Sequence, residues 1–285
     1  MSLGAEPGVL YVVASPIGNL EDISLRALRI LKEVHAVACE DTRETSKLLR
    51  YFEIKKPLIS YHDFNERTRA RDLINRLKSG DSIALLSDAG TPGISDPGYR
   101  LILSAIQEGI KITPVPGPSA VVAALMASGL PTDRFCFEGF LPEKSVALKK
   151  KIASLKNEPR TMIFFESTKR LKKTLENFLE ILGDRKIVVA RELTKKFETW
   201  MRGSVSDVID KSQDLKGEVT LILAGDPAGI EHPQDMGELK KEVMRLVKNE
   251  GLSRKEAIRM VSEVGGVSRS DLYREIHLER NQSPE

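Results

Sequence analysis

Cysteine is almost absent from this chain. Of 285 residues only Cys39 and Cys136 are cysteine, each inside an apolar stretch with no second cysteine near it. A disulfide framework and a cysteine-ligated zinc site are excluded by count. Both thiols read as small buried hydrophobes, and a reducing, cytoplasmic setting is expected. Histidine is equally sparse: His35, His62, His232 and His277 are scattered, and no H-E-x-x-H occurs, so no metal site is expected. Long apolar runs are missing too. The longest, residues 120–127, has about eight residues, against ~20 for a membrane span. No basic segment followed by an apolar one opens the chain, so a secretory signal is not expected. Aromatic residues make up 5%, too few for extensive base stacking across a sheet. No G-x-G-x-x-G follows the first predicted strand and no G-K-[ST] loop occurs anywhere, which weighs against a dehydrogenase or an NTPase.

Charge of one sign is also lacking. Lys and Arg number 44 against 41 Asp and Glu, a net of +3. An acidic partner must therefore meet positive charge that is local rather than global. What is present is ordinary globular chemistry: 41% hydrophobic residues, 20 glycines and 30% charged residues, in a chain long enough for two or three domains.

Short β-branched runs alternate with amphipathic stretches from residue 9 onward. Strands are predicted at 9–14, 36–39, 58–61, 82–87 and 111–115, with helices at 24–33, 44–52, 66–78 and 99–108 between them. This alternation argues a mostly parallel sheet covered on both faces. A second alternating block has strands at 134–137, 161–165, 186–191, 198–202 and 218–224, and helices at 144–155, 169–182 and 205–211. Gly129 and Pro131 mark the hinge between blocks. After 226 the pattern changes to three helices, 238–249, 254–264 and 269–278, with Ser253 and Ser268 placed as N-caps in a helix-turn-helix-like arrangement. The expected organisation is a disordered leader (1–8), an N-terminal α/β domain (9–128), a second α/β domain (129–230) and a C-terminal helical module (231–285) with a frayed end at 281–285. That module either contacts RNA or simply caps the second domain. Two α/β blocks leave a cleft between them, a usual place for a small ligand.

Three Gly/Pro-rich loops follow predicted strands of the first block: Ser15-Pro16-Ile17-Gly18-Asn19, the segment 87–98 (Ser-Asp-Ala-Gly-Thr-Pro-Gly-Ile-Ser-Asp-Pro-Gly), and Pro116-Gly117-Pro118-Ser119-Ala120. In an open parallel sheet all three lie at strand carboxyl ends, where ligands bind. Glycine lets the backbone approach a ligand closely, and proline fixes loop shape beforehand.

These loops, with the run Leu10-Tyr11-Val12-Val13-Ala14 before the first, are similar to those of the tetrapyrrole-methylase-like, class III S-adenosylmethionine methyltransferases. Further stretches resemble the branch of that family acting on small-subunit rRNA: Cys39-Glu40-Asp41-Thr42-Arg43, Tyr61-His62-Asp63-Phe64-Asn65-Glu66, Phe164-Phe165-Glu166-Ser167 and Ala190-Arg191-Glu192-Leu193-Thr194-Lys195. The likeness runs from about residue 9 to 225. One departure is Gly90-Thr91-Pro92, where small-molecule branches usually carry Gly-Asp-Pro; the threonine favours the rRNA branch.

The resemblance implies two α/β domains with S-adenosylmethionine in the cleft between them, a small C-terminal helical module and usually a homodimer. The reaction implied is methyl transfer to the ribose 2′-oxygen of a cytidine in small-subunit (16S) rRNA, within an assembled or assembling 30S subunit. Carried over by position, cofactor contacts are expected from Ile17, Asp88, Gly90, Thr91, Ile94, Ser119 and Ala120, and from Phe165, Glu166 and Ala224 in the second domain. Phe165 reads equally as plain core.

A ribose hydroxyl needs a general base, or a cation that lowers its pKa, within about 3 Å. Glu40, Asp41, His62, Glu66, Asp88, Glu166, Arg191, Glu192 and Lys195 are available at the cleft. Glu66 and Asp88 are the favoured bases; Arg191 and Lys195 are the other catalytic candidates, and either of them, or Arg43, could hold RNA phosphate. Each carboxylate also has a structural reading, as a helix cap or an arginine partner; Glu66, after Asn65 at a helix start, suits capping. Phosphate contacts are expected from Arg43, Arg67, Arg69, Lys149, Lys150, Lys169 and Arg170, although charge runs are commonly solvated helix faces. Two other readings stand beside this one: a class III methylase acting on a small molecule or a modified protein side chain, and a non-catalytic RNA-binding assembly factor.

Overall fold

The computed structural model describes residues 4–212, 215–226, 236–265 and 267–278. Strands β1 (Leu10–Val13), β2 (Ala36–Cys39), β3 (Leu58–Ser60), β4 (Ile83–Leu86) and β5 (Ile112–Val115) form the first sheet, in the order β3-β2-β4-β1-β5. Every neighbouring pair is parallel. Helices α1 (Leu25–Glu33), α2 (Thr42–Tyr51), α3 (Glu66–Lys78) and α4 (Tyr99–Gln107) connect them. The alternation along each strand divides its side chains between two cores. Leu10, Ile83 and Leu85 pack with α3 and α4, while Tyr11, Val13, Ala84 and Leu86 pack with α1 and α2. Both faces are thus covered, as a parallel sheet requires. Ser24 caps α1 by accepting from Ala27 N at 3.1 Å.

Helix α5 (Ala120–Met126) follows β5 in the chain but packs elsewhere. Its Val121, Ala124 and Leu125 lie against Ile163, Val188 and Ile222 of the second sheet. By packing, the division between the two units falls between β5 and α5, ahead of the boundary expected at 128/129. The apolar run at 120–127 has its explanation here: one side of this helix is buried against the second sheet.

The second sheet is built from β6 (Phe135–Phe140), β7 (Thr161–Ser167), β8 (Lys186–Arg191), β9 (Thr199–Ser204) and β10 (Glu218–Leu223), in the order β6-β7-β10-β8-β9. Only β6 and β7 are parallel; the other pairs are antiparallel. Helices α6 (Ser145–Ser154), α7 (Thr168–Leu182) and α8 (Val205–Lys211) cover one face, over Met162, Phe164, Val189 and Leu221. The opposite face meets α5.

Helices α9 (Met236–Asn249), α10 (Arg254–Gly265) and α11 (Arg269–Leu278) enclose a core of their own, centred on Val243, Ala257 and Leu272. Ser253 and Glu256 form a capping box at the start of α10: Glu256 N donates to Ser253 Oγ at 3.3 Å, and Ser253 N to Glu256 Oε2 at 3.1 Å. At the start of α11, Ser268 Oγ accepts from Ser270 N at 3.2 Å.

The disordered leader expected at 1–8 is corrected over residues 5–8. Ala5 N donates to Glu33 Oε2 at 2.7 Å, Glu6 N to Tyr11 Oη at 2.8 Å and Gly8 N to Gly80 O at 3.1 Å. Backbone groups beside the first sheet find partners there rather than water. The frayed end expected at 281–285, and His232, lie outside the described residues. No helix among the described residues is long and apolar enough to cross a membrane.

Candidate active site

Three strand-end loops meet because β4, β1 and β5 are neighbours in the sheet, and they are bonded to one another. Ser15 N donates to Gly90 O at 2.8 Å and Gly90 N to Ser15 O at 3.1 Å. Ser15 Oγ donates to Ser87 O at 2.9 Å and Ser87 Oγ to Gly90 O at 3.1 Å. Thr91 Oγ1 reaches Pro118 O at 3.3 Å, tying the long loop to the one after β5. Gly90 holds φ +88°, a conformation L side chains rarely adopt.

Between these loops and the second sheet lies a cavity of about 400 Å³, within the range of small-molecule sites. Ile17, Gly90, Thr91 and Ile94 line it from the first block, with Ser119 and Ala120 at the start of α5; all six are among the candidate cofactor contacts. Phe165, Glu166 and Lys195 line it from the second. Phe165 is half-buried and belongs to an aromatic group, with Phe137 at 4.9 Å and Phe140 at 5.5 Å between ring centroids. Phe140 is itself 61% exposed at the cavity.

Several expected site residues are placed otherwise. Ala224 follows the far end of β10, where its N donates to Lys186 O at 2.9 Å. Because β10 runs antiparallel to β7, its beginning faces the cavity, so Gly217, Glu218, Val219 and Thr220 stand where Ala224 was expected. Glu166 shares the strand parity of Phe164, so its carboxylate turns toward α7. It accepts from Thr174 Oγ1 at 2.8 Å and Ser167 N at 2.9 Å, and pairs with Arg170 Nε at 3.3 Å. Its side chain is 1% exposed, and these partners engage the carboxylate within the chain.

Glu66, a favoured base, is paired with Arg100 and lies outside the cavity lining. It also stands beside Tyr61, whose hydroxyl is pushed up to about 12 by burial and by the Glu66 charge. Asp88 is outside the lining as well: its Oδ1 accepts from Asp41 N at 3.1 Å, tying the long loop to the start of α2. Arg191 is spent on the protein, donating to Thr199 Oγ1 at 3.0 Å, Phe197 O at 3.1 Å and Lys216 O at 3.2 Å, which fixes the β8–β9 connection. Lys195 is held at the cavity by Glu192 at 3.1 Å and Glu218 at 2.9 Å. Its stem crosses Gly18, where a Cβ would collide with Lys195 Cγ and lie 3.0 Å from Leu193 O. The glycine therefore lets the second block rest on the first loop.

The carboxylate that sequence reasoning missed is Asp96. It lines the cavity, and burial, reinforced by the charge of Glu40, pushes its carboxyl up to about 6. Glu40 and Asp88 are also raised, each chiefly by burial and then by neighbouring carboxylates or, for Asp88, offset by the Asp41 N–H. This edge of the cavity is acidic. No group of three His, Cys, Asp or Glu among the described residues could hold a metal ion. Asp96 stands inside the Ser-Asp-Pro-Gly end of the long loop, so position was the available signal; burial, which distinguishes it from Asp88, was not visible.

Of the residues expected to meet phosphate, four are engaged within the chain. Arg43 is bidentate on Asp41, at 3.1 and 2.7 Å. Arg69 pairs with Asp72 at 3.4 Å and Lys149 with Glu180 at 2.8 Å. Arg170 holds Glu166 and the carbonyls of Leu141 and Pro142. Arg67, Lys150 and Lys169 are exposed and have no intramolecular partner among the described residues.

A parallel five-stranded α/β unit facing a mixed five-stranded one, with a cavity walled by strand-end loops, defines a two-domain α/β ligand-binding protein. The sequence matches the family described as Tetrapyrrole (Corrin/Porphyrin) Methylases over residues 9–209. The chain belongs to the tetrapyrrole methylase family. It is 45% identical over 278 residues to the ribosomal RNA small subunit methyltransferase I of Halalkalibacterium halodurans, covering 96% of each chain. To the protein of the same name from Escherichia coli O157:H7 it is 43% identical over 272 residues, covering 94% of each. Among solved structures, diphthine synthase aligns with a TM-score of 0.58 at 17% identity, over 76% of this chain and 89% of that one. The Thermus thermophilus uroporphyrin-III C-methyltransferase complexed with S-adenyl homocysteine aligns with a TM-score of 0.54 at 18% identity, over 75% and 96%. These two likenesses concern the fold.

Proposed function

We propose that this chain is an S-adenosylmethionine-dependent methyltransferase acting on the ribose 2′-oxygen of a cytidine in small-subunit (16S) rRNA, in an assembled or assembling 30S subunit. The observation that carries the reading is the cavity between the two sheets, in a chain sharing 43–45% identity over nearly its full length with proteins named for rRNA methylation.

The cavity suits the donor. Its volume of about 400 Å³ fits a nucleoside-sized ligand. Ile17, Ile94, Phe165 and Leu193 offer apolar walls for a flat ring. Asp96 is the lining carboxylate without an ion-pair partner among the described residues, since Glu166 is taken by Arg170 and Glu218 by Lys195. When bound, S-adenosylmethionine supplies an electrophilic methyl group on a cationic sulfur. The residues present serve that chemistry by position: Asp96 provides negative charge for a cationic ligand, and the bonded loops fix its orientation. Catalysis of an in-line displacement is largely such positioning. The acceptor hydroxyl must lose a proton, and the raised carboxylates of the acidic edge are suited to take it. We assign this role to Asp88, which is exposed and directly precedes Ala89 of the cavity lining.

The test separates the two carboxylates. Asp96→Asn should weaken calorimetric affinity for S-adenosylmethionine at least tenfold. Asp88→Asn should lower kcat on unmodified small-subunit rRNA about 100-fold with cofactor affinity unchanged. No methyl transfer by the unaltered chain to naked rRNA or to 30S particles would end the reading.

We also infer that the protein is a homodimer. Tyr99, Leu103 and Ile106 expose one apolar line along α4, and Val122 and Met126 another on α5. Apolar groups exposed in a contiguous patch mark interaction surfaces.

A further inference from the structure

We propose that Phe64, Arg67 and Arg71 form a docking strip for single-stranded RNA flanking the methylated nucleotide, Phe64 stacking on a base and the two guanidiniums taking phosphates. The proposal rests on the rRNA reading above and adds the surface that would hold the substrate outside the cavity.

Phe64 is 99% exposed, yet the turn carrying it is firmly built. Asn65 Oδ1 accepts from His62 N at 2.9 Å, and Asn65 Nδ2 donates to Ser60 O at 3.2 Å. His62 O accepts from both Asn65 N and Glu66 N at 2.9 Å. The His62 ring backs Phe64 edge-on, with centroids 6.1 Å apart. A lone exposed apolar side chain needs no explanation; one on a hydrogen-bonded turn at the sheet edge that carries the cavity loops, next to unpaired arginines, does. The turn leaves the carboxyl end of β3, a parallel strand, and so stands on the same edge of the sheet as the loops that wall the cavity; Tyr61 Oη, at its start, accepts from Leu101 N at 3.1 Å.

The arginines of α3 fall into two sets. Arg69 is paired with Asp72 and Arg76 with Asp81. Arg67 and Arg71, four residues apart and so on one helix face, are exposed and have no partner among the described residues. The charge pattern therefore changes along the strip. An acidic edge repels phosphate but tolerates a neutral base, and an aromatic ring offers that base a stacking partner. One to two helical turns further, unpaired guanidiniums suit the backbone of the same strand.

The full chain, an unmodified small-subunit rRNA transcript and labelled S-adenosylmethionine make the test. Phe64→Ala should raise KM for the transcript and weaken its binding about tenfold, with calorimetric cofactor affinity unchanged. Phe64→Tyr should restore both. The double substitution Arg67→Ala, Arg71→Ala should make the slope of log affinity against log salt shallower by about 1.4, as expected for two lost single-strand phosphate contacts. Wild-type binding and KM in Phe64→Ala would overturn the strip while leaving the methyltransferase reading intact. Transcript binding without methyl transfer by the unaltered chain would defeat the enzymatic reading, with the binding arm still deciding the strip. No binding by the unaltered chain would overturn both.

Discussion

Asp96 and Glu166 are both largely withdrawn from water, and their surroundings give them opposite duties. Asp96 is lifted to about 6 by burial and by Glu40, so its protonated form is the one the fold favours. With a folded pKa above the ordinary 3.8, its contribution to stability is complete below about pH 4 and lost as pH rises through about 6. Asp96→Asn should therefore melt higher than the unaltered protein at pH 8 and level with it at pH 4, by thermal unfolding. Ionisation in the same window favours a cationic ligand. Affinity for S-adenosylmethionine should strengthen between pH 5 and 7 in the unaltered chain and stay flat across that window in Asp96→Asn, read by calorimetry. Glu166 is bonded to Thr174, Ser167 and Arg170: Glu166→Ala should cost about 3 kcal/mol of stability in denaturant unfolding with cofactor affinity little changed. Sequence places both residues in recognisable motifs. It does not say which way a side chain points: strand parity with Phe164 turns the Glu166 carboxylate toward α7, while Asp96 stands on a loop that lines the cavity.

Elements were more legible than side chains. Strand ends in the first sheet follow from β-branched runs broken by Gly and Pro, and the loops after β1, β4 and β5 converge as a parallel sheet demands. The second sheet was harder to read, because alternation of strands and helices does not encode direction. The reversal of β10 moved its cavity contacts from Ala224 to Gly217–Thr220, a shift of the full strand length. The connection between β8 and β9 shows how a loop becomes part of a wall. Arg191 clamps it from within, and Lys195 crosses Gly18 to touch the first loop. Gly18→Val would push that connection off its seat. A displacement of about 1 Å at a site of this kind costs up to 100-fold, so kcat/KM should fall about 10- to 100-fold while far-UV circular dichroism stays the same.

At the scale of the whole molecule, the net charge of +3 conceals a strong local division. Carboxylates gather at one edge of the cavity, and unpaired Arg67, Arg71, Lys150 and Lys169 lie on helices of both blocks. Composition could not reveal this, because Asp72, Glu180 and Glu166 cancel the neighbours of those cations by direct pairing. The apolar lines on α4 and α5 predict a dimer: Ile106→Glu should shift the sedimentation profile from dimer to monomer. Helix α5 has a consequence of another kind. Chain order joins it to the first sheet, but Val121, Ala124 and Leu125 are buried against the second. Loss of the second sheet would strip the cover from a helix that the chain ties directly to the last strand of the first. The two α/β units should accordingly melt as one cooperative body, a single calorimetric transition whose van't Hoff enthalpy matches both together. The α9–α11 unit, closed around its own core, should melt in a transition of its own.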